Sequence, residues 1–174
     1  MHHYLATLLI VWHSRTSASE QLAQAAAQGA RAALKELECT DQIQLLCLAA
    51  HQAKSQHVLD ADAYLFCAPE NLGSLSGEMK AFFDQNYYAA LNQINGKPYG
   101  LIISAGSDGQ GAARQAKRIC TGWRLHAVAP PIIVNTAAQS TEEILATKTI
   151  SATQAAPALE LGGLLAAQLA LGLR

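Results

Sequence analysis

Leu5 to Trp12 (LATLLIVW) is an unbroken apolar run of strand length. A half-exposed strand alternates apolar and polar residues, so a run without alternation fits a central strand covered on both faces. Next come the polar stretch His13 to Ser19 and the Ala-rich segment Glu20 to Leu37. In that segment Leu22, Ala26, Ala30, Ala33 and Leu37 recur at helical spacing, which marks an amphipathic helix. Further strands are expected at Ile43 to Leu48, Ala63 to Ala68 (AYLFCA), Pro98 to Ser104 (PYGLIIS) and His126 to Val134. Pro69 is expected to end the third strand, leaving Glu70 to Leu75 as a loop. Ser76 is placed to cap the next helix, with Glu78 near its positive end and Met79, Phe82, Phe83, Tyr87 and Ala90 on one stripe. Later helices are expected from Ala112 to about Trp123, with Ala112, Ala116, Ile119 and Cys120 inward, and from about Ala156 to Ala170. Two stretches are ambiguous: Leu48 to Asp60 holds at most a short helix around Gln52 to Leu59, and Asn135 to about Thr153 is a loop or a short helical excursion. The alternation predicts an α/β fold, a doubly wound parallel sheet of five strands with right-handed crossovers and helices on both faces. No repeat, linker or break in composition divides residues 1–174, so one domain is expected.

Composition narrows the function classes. Hydrophobic residues make up 51% and charged residues 14%, which excludes a disordered chain. A net charge of −1 gives no broad attraction to nucleic acid or to an anionic membrane. Cys39, Cys47, Cys67 and Cys120 form no C-x-x-C pair and no C-x5-R phosphatase loop, and no metal-ligand spacing occurs. They read as reduced, buried thiols of a cytoplasmic protein. Met1-His2-His3-Tyr4 leads into the first strand without a cationic leader or a small-residue cleavage site, unlike a secretory signal. Leu161 to Leu173 is too short and too broken by glycine to insert across a membrane, and reads as a core-packing helix.

Ligands of open α/β sheets bind beyond the carboxyl ends of the strands, where strand order reverses. Three loops fall there. His13-Ser14-Arg15-Thr16-Ser17-Ala18-Ser19 puts hydroxyls between a strand and a helix N-terminus, a place that already favours an anion. One serine that merely caps the helix is the competing reading. Pro69-Glu70-Asn71-Leu72-Gly73-Ser74-Leu75-Ser76-Gly77 has its shape fixed by Pro and Gly, and Gly73 admits a close backbone approach to a flat ligand. Ser104-Ala105-Gly106-Ser107-Asp108-Gly109-Gln110-Gly111 spaces its glycines G-x-x-G-x-G, which is not the dinucleotide fingerprint. His13, Glu70, Tyr87, Tyr88 and Arg118 are further candidates for cofactor contact, each with a plain packing or solvated alternative. Arg114, Lys117 and Arg124 read with Arg118 as a wet helix face. No Ser-His-Asp arrangement has supporting context.

Together these loops resemble the flavodoxin-like superfamily, and more narrowly the NAD(P)H-dependent FMN reductases and quinone oxidoreductases of the tryptophan-repressor-binding-protein-like type. The segment Pro69 to Asp84 (PENLGSLSGEMKAFFD) carries the most specific likeness, to a P-x-x-x-G-x-x-S-G-x-x-K-x-F-x-D pattern. The stretches Ser14 to Ser19 and Ser104 to Gly109 add to it. The strand order 2-1-3-4-5 is that of flavodoxin itself and comes with the resemblance. So do the site roles. Ser14, Arg15, Thr16, Ser17, Ala18 and Ser19 would wrap the FMN phosphate. Glu70, Asn71, Leu72 and Gly73, on the loop opened by Pro69, would meet the isoalloxazine edge. Ser104, Ala105, Gly106 and Gly109 would line the ribityl or ring side. One position departs from the pattern: Ser17 stands where the family commonly has Gly. If that position needs φ > 0, serine carries a strain of about 1–2 kcal/mol.

The resemblance implies an oxidoreductase that passes hydride from NADPH or NADH through FMN to a quinone or another small-molecule electron acceptor. It also implies a homodimer or higher homo-oligomer. The flavin carries that chemistry, so no catalytic acid–base pair is required. Two other readings stay open: a flavodoxin-like binding or assembly protein that has lost FMN, and a one-electron carrier. Carriers tend to be acidic enough to dock basic partners, which a net charge of −1 does not favour.

Overall fold

The computed structural model describes residues 5–173, so Met1-His2-His3-Tyr4 and the reading made of them lie outside the described residues. The elements in chain order are β1 (Ala6–Trp12), α1 (Ala18–Glu36), β2 (Ile43–Ala49), α2 (Ser55–Asp60), β3 (Ala63–Asn71), β4 (Ser74–Leu75), α3 (Gly77–Ala90), β5 (Pro98–Ala105), α4 (Gln110–Gly122), β6 (His126–Ala127), β7 (Ile132–Asn135), α5 (Thr141–Leu145) and α6 (Ala152–Ala170). The parallel strands lie in the order β2-β1-β3-β5-β6, and β7 also pairs with β5. With β5 as the fourth strand and β6 plus β7 as the fifth, this is the expected 2-1-3-4-5 sheet. Its helices lie on both faces.

The unbroken apolar run is explained by the two faces of β1. Successive residues of a strand point to opposite sides. Leu9 and Val11 join a core that holds Phe66, Met79, Phe82, Phe83 and Trp123, on the α3 and α4 side. Leu8 and Ile10 join the core of Leu22, Ala26, Ala30, Leu161 and Leu165, on the α1 and α6 side. All four β1 residues are completely buried. Aromatic packing fixes the first core: Phe66 lies 5.0 Å from Phe83, Phe83 lies 5.4 Å from Trp123, and Tyr87 stacks on Trp123 at 17°. On the other face α1 and α6 meet backbone to backbone. A Cβ on Gly29 would come within 1.9 Å of the Leu159 carbonyl oxygen, and one on Gly162 within 1.9 Å of that of Ala26.

Several boundaries correct the sequence expectations. Pro69 does not end the third strand: β3 runs through it to Asn71 and turns back into β4. The β1–β3 pairing stops at Trp12–Cys67, and residues 67 and 69 turn their backbone groups to the same side. The missing N–H of Pro69 therefore falls where β1 has already ended. The expected fifth strand is broken at residues 128–131, because Pro130 and Pro131 bring no N–H to a ladder with β5. The helix after the third loop begins at Gln110 and ends at Gly122, and the last helix starts at Ala152, capped by Ser151 with Gln154 in a capping box. The ambiguous stretch after β7 contains α5, and the one before β3 contains α2. Of the cysteines, all free, Cys67 and Cys120 are buried as expected, while Cys39 and Cys47 are only half-buried. No helix among the described residues is long and apolar enough to cross a membrane.

Candidate functional site

The chain leaves β1 to one side for β2 and returns to the other side for β3, so a crevice opens above the carboxyl ends of these strands. It is a cleft of about 470 Å³ with four walls. Arg15, Thr16 and Ala18 form the first, Pro69 to Gly73 the second, Ser104 to Ser107 the third, and Thr136, Ala138, Ile144, Leu145 and Lys148 the fourth. The structure thus brings Arg15, Thr16, Ala18, Pro69, Glu70, Asn71, Leu72, Gly73, Ser104, Ala105 and Gly106 together around one space. Ser14, Ser17, Ser19 and Gly109 do not line it.

In the first loop the backbone is arranged for an anion. The N–H groups of Ser14, Arg15, Thr16, Ser17, Ala18, Ser19 and Glu20 find no acceptor among the described residues. They surround the N-terminus of α1, whose dipole adds partial positive charge. The hydroxyls of Ser14 and Thr16 and the exposed Arg15 guanidinium are likewise without protein partners among the described residues. Ser17 sits at φ 71°, so the conformation is left-handed where the resemblance called for glycine. Its side chain makes no cap bond and lies 3.4 Å from Glu20. Ser19 is used differently: its buried hydroxyl bonds that of Ser104 at 2.7 Å and ties the first loop to the third.

The second wall is a two-residue hairpin turn, Leu72 at φ 52° and Gly73 at φ 73°. Both central residues need positive φ in such a turn, which is unusual for a residue as bulky as leucine. Leu72 is also fully exposed, an apolar tip at the cleft. The Glu70 carboxylate accepts the amides of Gly109 and Ala112 at 2.9 Å each, so it caps α4 and locks the hairpin to the third loop. Gln115 on α4 holds the other side, accepting from the Ser74 hydroxyl at 2.8 Å and the Leu75 amide at 2.7 Å. Gly111 permits the contact, since a Cβ there would lie 2.0 Å from the Gly73 carbonyl oxygen.

The fourth wall was missed from sequence. Thr136 is fixed to Ala105 through its amide at 2.8 Å and its hydroxyl at 3.1 Å. Ser140 and Glu143 then form a reciprocal capping box that starts α5. Glu143 accepts the amides of Gln139 and Ser140, which hold its carboxyl below the usual carboxylate range. The Ser-x-x-Glu spacing was the available signal for this helix.

The remaining candidates lie elsewhere. His13 donates to or accepts from the Ser76 hydroxyl at 2.9 Å, which explains why Ser76 makes no side-chain cap bond to α3. Burial lowers the His13 pKa; Glu78 opposes this, while His51 and Arg15 add to it. The shift favours the neutral ring, which weakens its 3.5 Å approach to Glu78 as an ion pair. Tyr87, Tyr88 and Arg118 line a separate groove between α3 and α4 and do not reach the cleft.

Comparison with known proteins agrees with this geometry. A flavodoxin of Aquifex aeolicus is 31% identical over 107 residues, covering 62% of this chain and 54% of the relative, so the match spans about half the length of that curated protein. An archaeal flavodoxin superposes with a TM-score of 0.70 at 14% identity, over 95% of this chain and 99% of the other. A WrbA-like flavodoxin protein from Agrobacterium tumefaciens gives 0.63 at 17% identity, over 97% and 98% of the two chains. These two likenesses show the flavodoxin-like fold. The family described as NADPH-dependent FMN reductase matches residues 8–141, a stretch that holds the first three walls of the cleft and the start of the fourth. The chain belongs to the NADPH-dependent FMN reductase family.

Proposed function

We propose that the protein is an FMN-dependent oxidoreductase that takes hydride from NADPH or NADH and passes electrons to a quinone or another small acceptor. The observation that carries this is the set of backbone amides from Ser14 to Glu20, without an acceptor among the described residues, at the head of α1 beside a cleft large enough for a cofactor. These residues fit a phosphate monoester: amides and neutral hydroxyls supply donors, and Arg15 supplies one cation. FMN, when bound, would supply the site that accepts and releases hydride. The protein's own part is placement. The amides of the first loop hold the phosphate, and Glu70 and Gln115 keep the hairpin rigid against α4. The Leu72 and Gly73 turn and the small residues Ser104, Ala105 and Gly106 offer backbone edges to a flat ring. No side chain is asked to move a proton.

Titration of the purified protein with FMN, followed by flavin fluorescence, should show saturable binding at micromolar concentration. Stopped-flow mixing of the loaded protein with NADPH or NADH should then bleach the flavin absorbance, and a quinone should restore it. The curated relative named flavodoxin supports a second reading, a one-electron carrier. A flavin that stays oxidised with both nicotinamides while dithionite bleaches it would favour the carrier. Self-association into a homodimer belongs to the same family reading. Light scattering that finds a strict monomer at about tens of micromolar would reject it, since stable homodimers persist at such concentrations.

A further inference from the structure

We propose that Gln21 is a positioning residue for FMN: its amide clasps the segment after β7 onto the phosphate loop and so holds the fourth wall of the cleft in place. This rests on the flavin reading above. Gln21 lies in the first turn of α1, and its side chain makes three direct hydrogen bonds. Nε2 donates to the Ser17 carbonyl at 3.1 Å and to the Lys148 carbonyl at 2.7 Å, and Oε1 accepts from the Ile150 amide at 3.0 Å. One planar amide thus joins the strained residue of the phosphate loop to a stretch 127 residues away in sequence.

The surrounding bonds make the clasp directional. The Lys148 amide donates to the Thr16 carbonyl at 2.8 Å, so the segment rests on the loop at a second point. The Lys148 ammonium turns back to the carbonyls of Glu143, Ile144 and Ala146, closing the C-terminal end of α5. Ile144 and Leu145, half-exposed on α5, face the cleft between these anchors. α5 buries none of its own residues, so core packing does not locate it. Its position depends on its two ends: the β7 side through Thr136 and Ala105, and the α1 side through Thr16 and Gln21. Without Gln21 the second end keeps the Lys148–Thr16 bond and the packing of Ile150 against the α1 and α6 core. The carbonyl of Ser17 would also lose its side-chain donor, leaving only the backbone bond from Gln21 at 3.1 Å to hold a left-handed residue.

Gln21→Ala should weaken FMN binding by about tenfold, because the loosened fourth wall must then be ordered when the ligand binds. The apo protein should keep its secondary structure, with a thermal midpoint lowered by no more than the several degrees that three lost hydrogen bonds imply. Hydrogen exchange on the apo protein should show faster exchange at the Ile150 and Lys148 amides, with the β1 amides still protected. Leu145→Ala should weaken FMN in the wild-type background and have little further effect beside Gln21→Ala, because both act through one wall. Independent, multiplying losses from the two changes would overturn the proposal. So would unchanged FMN affinity in Gln21→Ala, or unchanged protection at Ile150 and Lys148. If Gln21→Ala does not fold, Gln21→Glu keeps the size and the acceptor for Ile150 but turns an oxygen toward both carbonyls, and the same losses are expected. A wild-type protein that binds no FMN overturns the flavin reading itself, and this role with it.

Discussion

Ser17 shows how one side chain sets the cost of a binding loop. Its φ of 71° requires a left-handed residue, and among the described residues its hydroxyl makes only the 3.4 Å approach to Glu20. Ser17→Gly should therefore leave FMN affinity unchanged or tighten it, by up to about tenfold if the strain of about 1–2 kcal/mol is relieved mainly in the bound state. Ser17→Val, β-branched and a genuine outlier at that φ, should weaken binding. Flavin fluorescence titration of both variants checks the pair, and a large loss with glycine would show that the hydroxyl itself is needed. His13 gives a pH dependence. Burial lowers its pKa below the ordinary 6.5, against the pull of Glu78. The unfolded chain then binds more protons below neutrality, so the stabilisation is fully present above 6.5 and is lost as pH falls through 6.5 toward the folded value. Thermal midpoints measured from pH 8 to about pH 5 should fall, and His13→Asn should flatten that fall.

At the scale of elements, the sequence revealed the strands and helices that have cores to fill. Leu5 to Trp12 and the stripe of Met79, Phe82 and Phe83 were legible because burial on a known period leaves a pattern. The hairpin was not, because Pro69 usually stops a strand and nothing in the sequence tells which side of β3 has lost its neighbour. The break in the last strand was legible only as two prolines. α5 left almost no apolar pattern because it buries nothing, and the clasp that holds it uses one glutamine on α1. The structure gathers residues of the three loops around one cleft, yet Ser19 and Glu70 are tied into the scaffold by Ser104 and α4. Gly111 tests that scaffold. Gly111→Ala places a methyl 2.0 Å from the Gly73 carbonyl oxygen, so the hairpin must move away from α4. We expect a loss of about 1–3 kcal/mol in denaturant unfolding and weaker FMN binding in fluorescence titration. Near wild-type values of both would mean that the hairpin is free to shift.

Across the whole molecule, both cores share the same sheet, and β1 contributes to each. Circular dichroism and tryptophan fluorescence should therefore report one coincident unfolding transition, as for a single domain. Two separated transitions would show that the faces melt independently. Gly162→Ala is the sharper probe, because its added Cβ would meet the Ala26 carbonyl oxygen at 1.9 Å and push α6 off α1. A destabilisation of about 2–3 kcal/mol is expected, lowering both signals together.

The close seating of α1 on α6 also governs when the protein becomes competent during its synthesis. α1 opens at the loop proposed to hold phosphate, but the groove across Gly29 stays empty until Ala152–Ala170 has left the ribosome. A nascent chain can present β1, the hydroxyl-rich loop and the hairpin long before then, with the Leu22, Ala26 and Ala30 face of α1 still bare. FMN binding is therefore expected only once α6 has been translated, and a chain stalled before it would offer chaperones an apolar helix face in place of a finished cleft.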